Sequence, residues 1–174
     1  MLFSHYLQGA LVPRSLALVG ASQRLGALGT FVLDNLTAAG FKGQVHLVNP
    51  KYKELAGRPC VSRLAEVPQA PDLVVIVTPA PTVPDLIDDC AALGSRAVLV
   101  ISAGFADVGE PGRRLHEEAL ARARAHGIRM LGPNCLGLMR PDIGLNASYA
   151  RTPARPGSVA LVSQSQAVVA ALLD

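Results

Sequence analysis

Short runs of apolar residues recur along the chain, and most of them lack the alternation of apolar and polar positions that a half-exposed strand shows. They are rich in Val, Ile and Leu, so we expect them to be buried on both faces of a parallel sheet. Five such runs predict strands, at residues 15–20, 44–49, 72–78, 96–102 and 128–131.

Helical periodicity fills the intervals between these runs. Residues 27–40 carry apolar positions at helical spacing and end at a glycine. Residues 82–94 open with Thr82 as an expected N-cap, and residues 111–127 begin with a proline and are rich in Ala, Leu and Arg. Strand and helix in repetition predict an α/β fold with a Rossmann-like, doubly wound parallel sheet.

The pattern changes after residue 131, and this change defines the expected domains. Residues 1–131 form the Rossmann-like domain, and residues 132–157 are rich in Gly, Pro and Asn without a helical or strand period, which predicts a linker and ligand-edge loop. Residues 158–174 then predict the first strand and part of a helix of a second, flavodoxin-like domain. Because no stop signal ends that helix, we expect this second domain to be truncated.

Composition limits the classes of function. The chain has 174 residues, half of them hydrophobic, which suits a single core. Its net charge of +3 comes mainly from scattered arginines, and only 4% of residues are aromatic. Nucleic-acid binding would need clustered cations and stacking rings, so an anionic small ligand is the better match.

Cysteine usage and the apolar runs bear on location. The three cysteines are far apart, which argues against a disulfide framework or a metal site and suggests reduced thiols. No apolar run approaches the length of a membrane span, and the first residues lack the features of a signal peptide. We therefore expect a cytoplasmic protein that does not bind a membrane.

The loop after the first predicted strand has the features of a phosphate site. Gly20 permits the turn out of the strand, Gly26 lets the backbone approach a ligand, Gly29 permits close helix packing, and Ser22 adds a hydroxyl donor. The spacing from Gly20 to Gly26 is longer than in the G-x-G-x-x-G fingerprint of dinucleotide-binding proteins. A glycine-rich turn needed only for packing remains an alternative.

The end of the second predicted strand bears on which nucleotide could bind. Proteins that bind NAD place an acidic residue here, whereas this strand is followed by Asn49, Pro50, Lys51 and Lys53, and the next carboxylate is at Glu54. Two lysines favour a phosphate on the ribose, as in coenzyme A (CoA) or NADP. The alternative is that both lysines are simply solvated.

Small and rigid residues follow the third and fourth predicted strands. Pro79 and Ala80 come after one strand, and Ser102, Ala103 and Gly104 come after the next. Such loops could be ordinary turns, but the carboxyl ends of parallel strands meet at one edge of the sheet. They could therefore lie along an extended ligand.

Five motifs in order resemble the CoA-binding domain of the NDP-forming acyl-CoA synthetases. They are "GAS", "VNPK", "VTPAPTVP", "ISAGF" and "GPNCLG", and the resemblance extends from about Val12 onward. That superfamily includes the succinyl-CoA synthetase α subunit and the ADP-forming acetyl-CoA synthetases. The segments "HYLQGALVPRSLALVGAS" and "GLNASYA" look most like proteins that join this region to a GNAT protein lysine acetyltransferase domain.

The resemblance implies a binding site for CoA or acyl-CoA, with acetyl-CoA as the expected form. The first loop would contact the phosphates, the second the adenosine end, the next two the length of the ligand, and the last its reactive end. The implied residues are Gly20, Ala21, Ser22, Gly26 and Gly29; Asn49, Pro50 and Lys51; Thr78, Pro79 and Ala80; Ser102, Ala103 and Gly104; and Pro133, Asn134 and Cys135.

The chain matches the residues that would catalyse ligation less well than those that would bind CoA. Relatives usually read S-Q-S-G where this chain has Gln166 in place of the glycine. A conformation open only to glycine would be costly there, which puts ligase competence in doubt. None of His5, His46, His116 and His126 has the glycine-rich setting of a phosphohistidine, and Cys135 lacks a His or Asp nearby in sequence. We assign no catalytic residue and no metal ligand.

The resemblance also implies partners. In the intact protein these would be the remaining synthetase domains with an ATP-grasp or GNAT domain, and a homo-oligomer is compatible with it. The chain alone is not expected to turn over substrate. Two alternatives remain, an NADP-binding Rossmann domain of an oxidoreductase and a regulatory module that binds no ligand by itself.

Overall fold

A computed structural model describes residues 7–174 of the chain. The strands are β1 (Ser15–Val19), β2 (Gln44–Val48), β3 (Glu54–Leu55), β4 (Arg58–Val61), β5 (Leu73–Ile76), β6 (Ala97–Val100), β7 (Arg129–Leu131), β8 (Gly137–Arg140) and β9 (Leu145–Ser148). The helices are α1 (Gln8–Leu11), α2 (Leu28–Ala38), α3 (Val83–Leu93), α4 (Glu110–Ala125) and α5 (Gln166–Leu173).

Seven strands form one sheet in the order β3-β4-β2-β1-β5-β6-β7. Strands β4, β2, β1, β5, β6 and β7 are mutually parallel. Strand β3, at the edge of the sheet, runs antiparallel to β4. This is the strand order of the Rossmann fold. Successive strands are added on one side of β1 as far as β4, and from β5 onward they are added on the other side of β1. The predicted fold class is confirmed, and the reversal marks the expected ligand crevice.

The sheet is covered on both faces, as the unbroken apolar runs predict. Leu16 and Leu18 of β1 point to one face and pack in a core with α2. Ala17 and Val19 point to the other face and pack in a core with α3 and α4. All four residues of β5 and of β6 are buried. The buried positions of β1, β5 and β6 are all apolar, so we expect ligand-binding groups in the loops that follow the strands.

The structure corrects the interpretation of residues 132–157 as a linker without secondary structure. Strands β8 and β9 form an antiparallel hairpin in this region. Leu145 and Ala147 of β9 belong to the core beside α2, and Asn35 Nδ2 of α2 donates to the main-chain carbonyls of Ser148 and Ala150. The hairpin is therefore packed onto the Rossmann-like domain.

Thr82 lies at the N-cap position of α3, as predicted, but its side chain makes no capping hydrogen bond, because its hydroxyl donates to the Pro79 carbonyl within a 3₁₀ turn that leads into the helix. Residues 158–163 form no strand in the structure, although α5 follows them. A parallel strand needs a neighbour for its hydrogen bonds, and these residues are exposed and pair with none of the described strands.

Among residues 7–174, no helix is both long and apolar enough to span a membrane.

Candidate functional site

Five loops lie at the carboxyl ends of the parallel strands. They follow β1, β2, β5, β6 and β7 and comprise residues 20–27, 49–53, 77–82, 101–109 and 132–136. Sixteen of the seventeen site residues predicted from the sequence lie in these loops, and Gly29 lies in the first turn of α2. We call this row of loops the carboxyl edge.

The glycines after β1 allow α2 to start against the end of the strand. Gly20 has a φ of +95°, and a Cβ on Gly29 would stand 2.0 Å from the Gly20 carbonyl oxygen. Helix α2 begins without a side-chain cap at Ala27, so its first-turn amides are not satisfied by a capping side chain. These amides and the positive end of the helix dipole make this loop suitable for a phosphate group.

Side-chain hydrogen bonds hold the tip of the same loop. Ser22 is buried, and its Oγ accepts from the Arg24 amide at 3.0 Å. Thr30 Oγ1 of α2 donates to the Arg24 carbonyl at 2.7 Å. The Ser22 hydroxyl proton is left for a further acceptor, as the sequence predicts, and the exposed side chain of Arg24 adds a cation to the loop.

The end of β2 joins the first loop through Asn49. Its Nδ2 donates to the Ala21 carbonyl at 2.8 Å, and its Oδ1 accepts from the Lys51 amide at 2.9 Å. The Asn49 side chain therefore positions the two loops relative to each other. Lys51 is exposed and has no carboxylate within ion-pair distance in the described part of the chain.

The loops after β5 and β6 are tied together by a buried serine. Ser102 Oγ donates to the Thr78 carbonyl at 2.5 Å. Ala80 is buried beneath Gly104, where an added Cβ would lie 3.2 Å from that of Ala80. Because Gly104 has a φ of +102°, a larger residue there would also be strained. The residues that bring these two loops together, Ser102, Ala80 and Gly104, are small and uncharged.

Sequence reasoning missed Asp107, which shapes the loop after β6. Its carboxylate accepts from the Gly104 amide at 3.0 Å and from the Phe105 amide at 2.8 Å. These hydrogen bonds hold the pKa of Asp107 below its ordinary value. An Asp three residues after a glycine in "GFAD" is the signal that could have identified it.

Asn134 and Cys135 bring the loop after β7 against its neighbour. The Asn134 amide donates to the Ser102 carbonyl at 3.0 Å, and Cys135 Sγ donates to the Val100 carbonyl at 3.4 Å. Burial raises the pKa of the Cys135 thiol. The sulfur is therefore a protonated structural group near neutral pH, which weighs against a nucleophilic role.

Within residues 7–174, no histidine lies in the five loops of the carboxyl edge. His46 lies in β2, where burial lowers its pKa, and His116 packs edge-on against Phe105. His126 follows α4 and bonds to Asp88 at 2.9 Å. His5 is outside the described residues.

Two shallow cavities lie at the opposite, amino end of the sheet. One is lined by residues before β1 and β2, and the other lies between the end of α2 and the β8–β9 hairpin. Neither includes a residue of the five loops. The candidate site is thus an open edge of the sheet rather than either cavity.

Gln166 is not strained by its departure from S-Q-S-G. It is the first residue of α5 and does not have a positive φ, since the non-glycine residues with positive φ in residues 7–174 are Ala56 and Asn134. Ser165 is the N-cap of this helix and accepts from the Val168 amide. The backbone argument against ligase competence is therefore wrong for this chain.

Comparisons with known proteins relate this chain to proteins that act on CoA. Residues 14–141 match the family described as CoA binding domain. The chain is 38% identical over 162 residues to the ADP-forming acetate–CoA ligase I of Archaeoglobus fulgidus, covering 93% of this chain and 23% of that protein. It is 36% identical to the ADP-forming acetate–CoA ligase I subunit alpha of Pyrococcus furiosus, covering 96% of this chain and 37% of that subunit.

A solved structure agrees with these relatives. The dinucleotide-forming acetyl-coenzyme A synthetase 1 of Ca. Korarchaeum cryptofilum, in complex with phosphate and ADP, superposes with a TM-score of 0.90 at 38% identity, covering 96% of this chain and 36% of that one. The chain thus spans between about a quarter and two fifths of the length of these relatives. An oxidoreductase domain is not favoured, and the chain belongs to the CoA-binding domain family, with ADP-forming acetate–CoA ligases among its relatives.

Proposed function

We propose that this chain binds CoA or acyl-CoA along the carboxyl edge. The seventeen predicted site residues would form the contact surface. The observation that carries the proposal is the arrangement of all five loops in one row within the residues that match the family. Hydrogen bonds join the loops after β2 and β1, after β5 and β6, and after β6 and β7. An extended ligand could touch each loop in turn.

The nucleotide end of CoA would lie over the loops after β1 and β2. The diphosphate would accept hydrogen bonds from the uncapped start of α2 and from Ser22. The 3′-phosphate would lie near Lys51, which is exposed and not engaged by a carboxylate of the described residues. Asn49 would act by fixing the separation of these two loops.

The pantetheine arm would lie over the loops after β5, β6 and β7. The arm is thin and uncharged, and Ala103 and Gly104, with Ala80 buried beneath Gly104, are small residues that do not obstruct it. The reactive end would approach Asn134 and Cys135. Because the Cys135 thiol is protonated and bonded to a carbonyl, its role would be to shape the loop.

We further propose that acetyl-CoA is the preferred form and that the intact protein is an ADP-forming acid–CoA ligase. Acetate–CoA ligases among the relatives support both statements. Residues 158–174 would then begin a second domain, and an ATP-grasp domain would complete the enzyme. An acetyltransferase domain in the intact protein would instead make this chain a regulatory ligand-binding part.

Isothermal titration calorimetry of the purified chain tests this proposal. CoA and acetyl-CoA are expected to bind, whereas NADPH is not, because its nicotinamide half lacks the thin arm that the loops after β5 and β6 would accommodate. Binding of NADPH without CoA would support the oxidoreductase alternative. Flat titrations with all three ligands would support a module that binds none of them alone.

A further inference from the structure

The side chain of Gln166 joins three separate segments at the end of the carboxyl edge. Its Nε2 donates to the Asn134 carbonyl at 2.5 Å and lies 3.3 Å from Asn134 Oδ1. Its Oε1 accepts from the Tyr149 hydroxyl at 2.5 Å. One amide therefore connects the loop after β7, the segment after β9 and the first turn of α5.

Both ends of the Gln166 amide are engaged, so the side chain has one favoured orientation. Burial, with a smaller contribution from Cys135, raises the pKa of Tyr149, and its hydroxyl stays protonated as the donor to Gln166. Asn134 is itself held by the hydrogen bond from its amide to Ser102. Gln166 is thus fixed against a loop that is fixed against the sheet.

The position of this bridge is set by the strand order. From β2 to β7 the sheet crosses β1, β5 and β6, which is four strand spacings of about 4.8 Å, or about 19 Å in all. The exposed cations, Arg24, Lys51 and Lys53, lie at the β1–β2 end of this row. An extended ligand with its phosphates at that end must point its uncharged end towards Asn134 and Gln166.

We infer that Gln166 closes the far end of the carboxyl edge and limits the size of the acyl group, so that the chain selects CoA thioesters of short acids. This rests on the proposed function. In this role the amide bridge from Asn134 to Tyr149 would stand at the end of the edge towards which a longer acyl chain would extend. Gln166 is a specificity-determining residue in this role, and it need not touch the thioester itself.

Acyl-chain discrimination is the readout, because a purely structural role would not change it. Acetyl-CoA and hexanoyl-CoA are titrated calorimetrically into the chain, and we expect roughly tenfold tighter binding of acetyl-CoA. Gln166→Ala removes the bridge. The ratio of the affinity for acetyl-CoA to the affinity for hexanoyl-CoA is then expected to fall towards one, because hexanoyl-CoA binds more tightly. Tyr149→Phe, which removes the hydroxyl that orients the amide, is expected to reduce the ratio by a smaller factor.

Gln164→Ala is the matched control, because Gln164 is an exposed glutamine two residues away. Its ratio is expected to equal that of the unaltered chain, and circular dichroism checks that each variant is folded. Equal affinities for the two thioesters in the unaltered chain, or an unchanged ratio in Gln166→Ala, would overturn the inference while CoA binding stands. Failure of CoA itself to bind would instead overturn the proposed function.

Discussion

The two halves of the carboxyl edge differ in chemistry. The loops after β1 and β2 carry three exposed cations and the uncapped start of α2. The loops after β5, β6 and β7 carry one charged side chain, Asp107, and its carboxylate accepts from main-chain amides of its own loop. The first half suits an anion and the second suits a thin neutral chain, so the difference indicates a ligand with two unlike ends.

The halves are also held in different ways. In the first, glycine permits a close approach of α2 to the end of β1, and Asn49 ties in the neighbouring loop. In the second, main-chain carbonyls accept from the Ser102 hydroxyl and the Asn134 amide. An atom added to a closely packed contact lowers the free energy of unfolding more than the loss of one hydrogen bond does. We therefore expect larger losses of stability from glycine substitutions than from removal of the hydrogen bonds between loops.

The largest effect is expected for Gly29→Ala in the first half. The new Cβ would stand 2.0 Å from the Gly20 carbonyl oxygen, so α2 must move away from β1. We expect the free energy of unfolding to fall by about 3 kcal/mol, measured by urea denaturation. Gly157→Ala serves as the control, because nothing lies within 4 Å of that position, and it should change stability little.

Paired variants then separate the two halves by ligand. Asn49→Ala and Ser102→Ala should each cost about 1 kcal/mol of stability, because each removes a hydrogen bond between loops. Adenosine 3′,5′-bisphosphate carries the nucleotide end of CoA without the arm. Asn49→Ala should weaken this fragment and CoA alike, whereas Ser102→Ala should weaken CoA and leave the fragment unchanged. If both variants lost affinity for CoA and for adenosine 3′,5′-bisphosphate to the same extent, the two halves would not bind separate parts of the ligand.

The smallest effect concerns pH and Asp107. Since its pKa is lower in the folded chain than in the unfolded chain, its contribution to stability is present above the unfolded value near 4 and is lost as pH falls through the folded value. Asp107→Asn should therefore unfold with a shallower dependence on pH below about 4 than the unaltered chain. Thermal unfolding at a series of pH values measures this slope, and identical slopes would contradict the assigned role.

The sheet could be predicted because its strands are buried on both faces and read as unbroken apolar runs. The glycines at Gly20 and Gly29 were identified for the same local reason, since a turn and a close approach exclude side chains. Strand β8, by contrast, is only partly buried along its whole length, and its partner β9 is held against α2 by Asn35. Periodicity within one segment does not carry that information.

The missed contacts of the candidate site join positions that are far apart in the chain. Gln166 and Asn134 are 32 residues apart, and Asn49 and Ala21 are 28 apart. The sequence indicated which loops would meet but not which side chains would join them. The strand expected near residue 160 shows the converse, because an apolar run does not make a strand without a partner.

Lys51→Ala, titrated with CoA and with dephospho-CoA, tests the central claim most directly, with Lys42→Ala as the control because Lys42 is an exposed lysine between α2 and β2, away from the five loops. We expect the unaltered chain and Lys42→Ala to bind CoA about tenfold tighter than dephospho-CoA, because only CoA carries the 3′-phosphate. In Lys51→Ala the affinity for CoA should fall to that for dephospho-CoA. Equal losses for the two ligands, or an undiminished preference for CoA, would contradict the account.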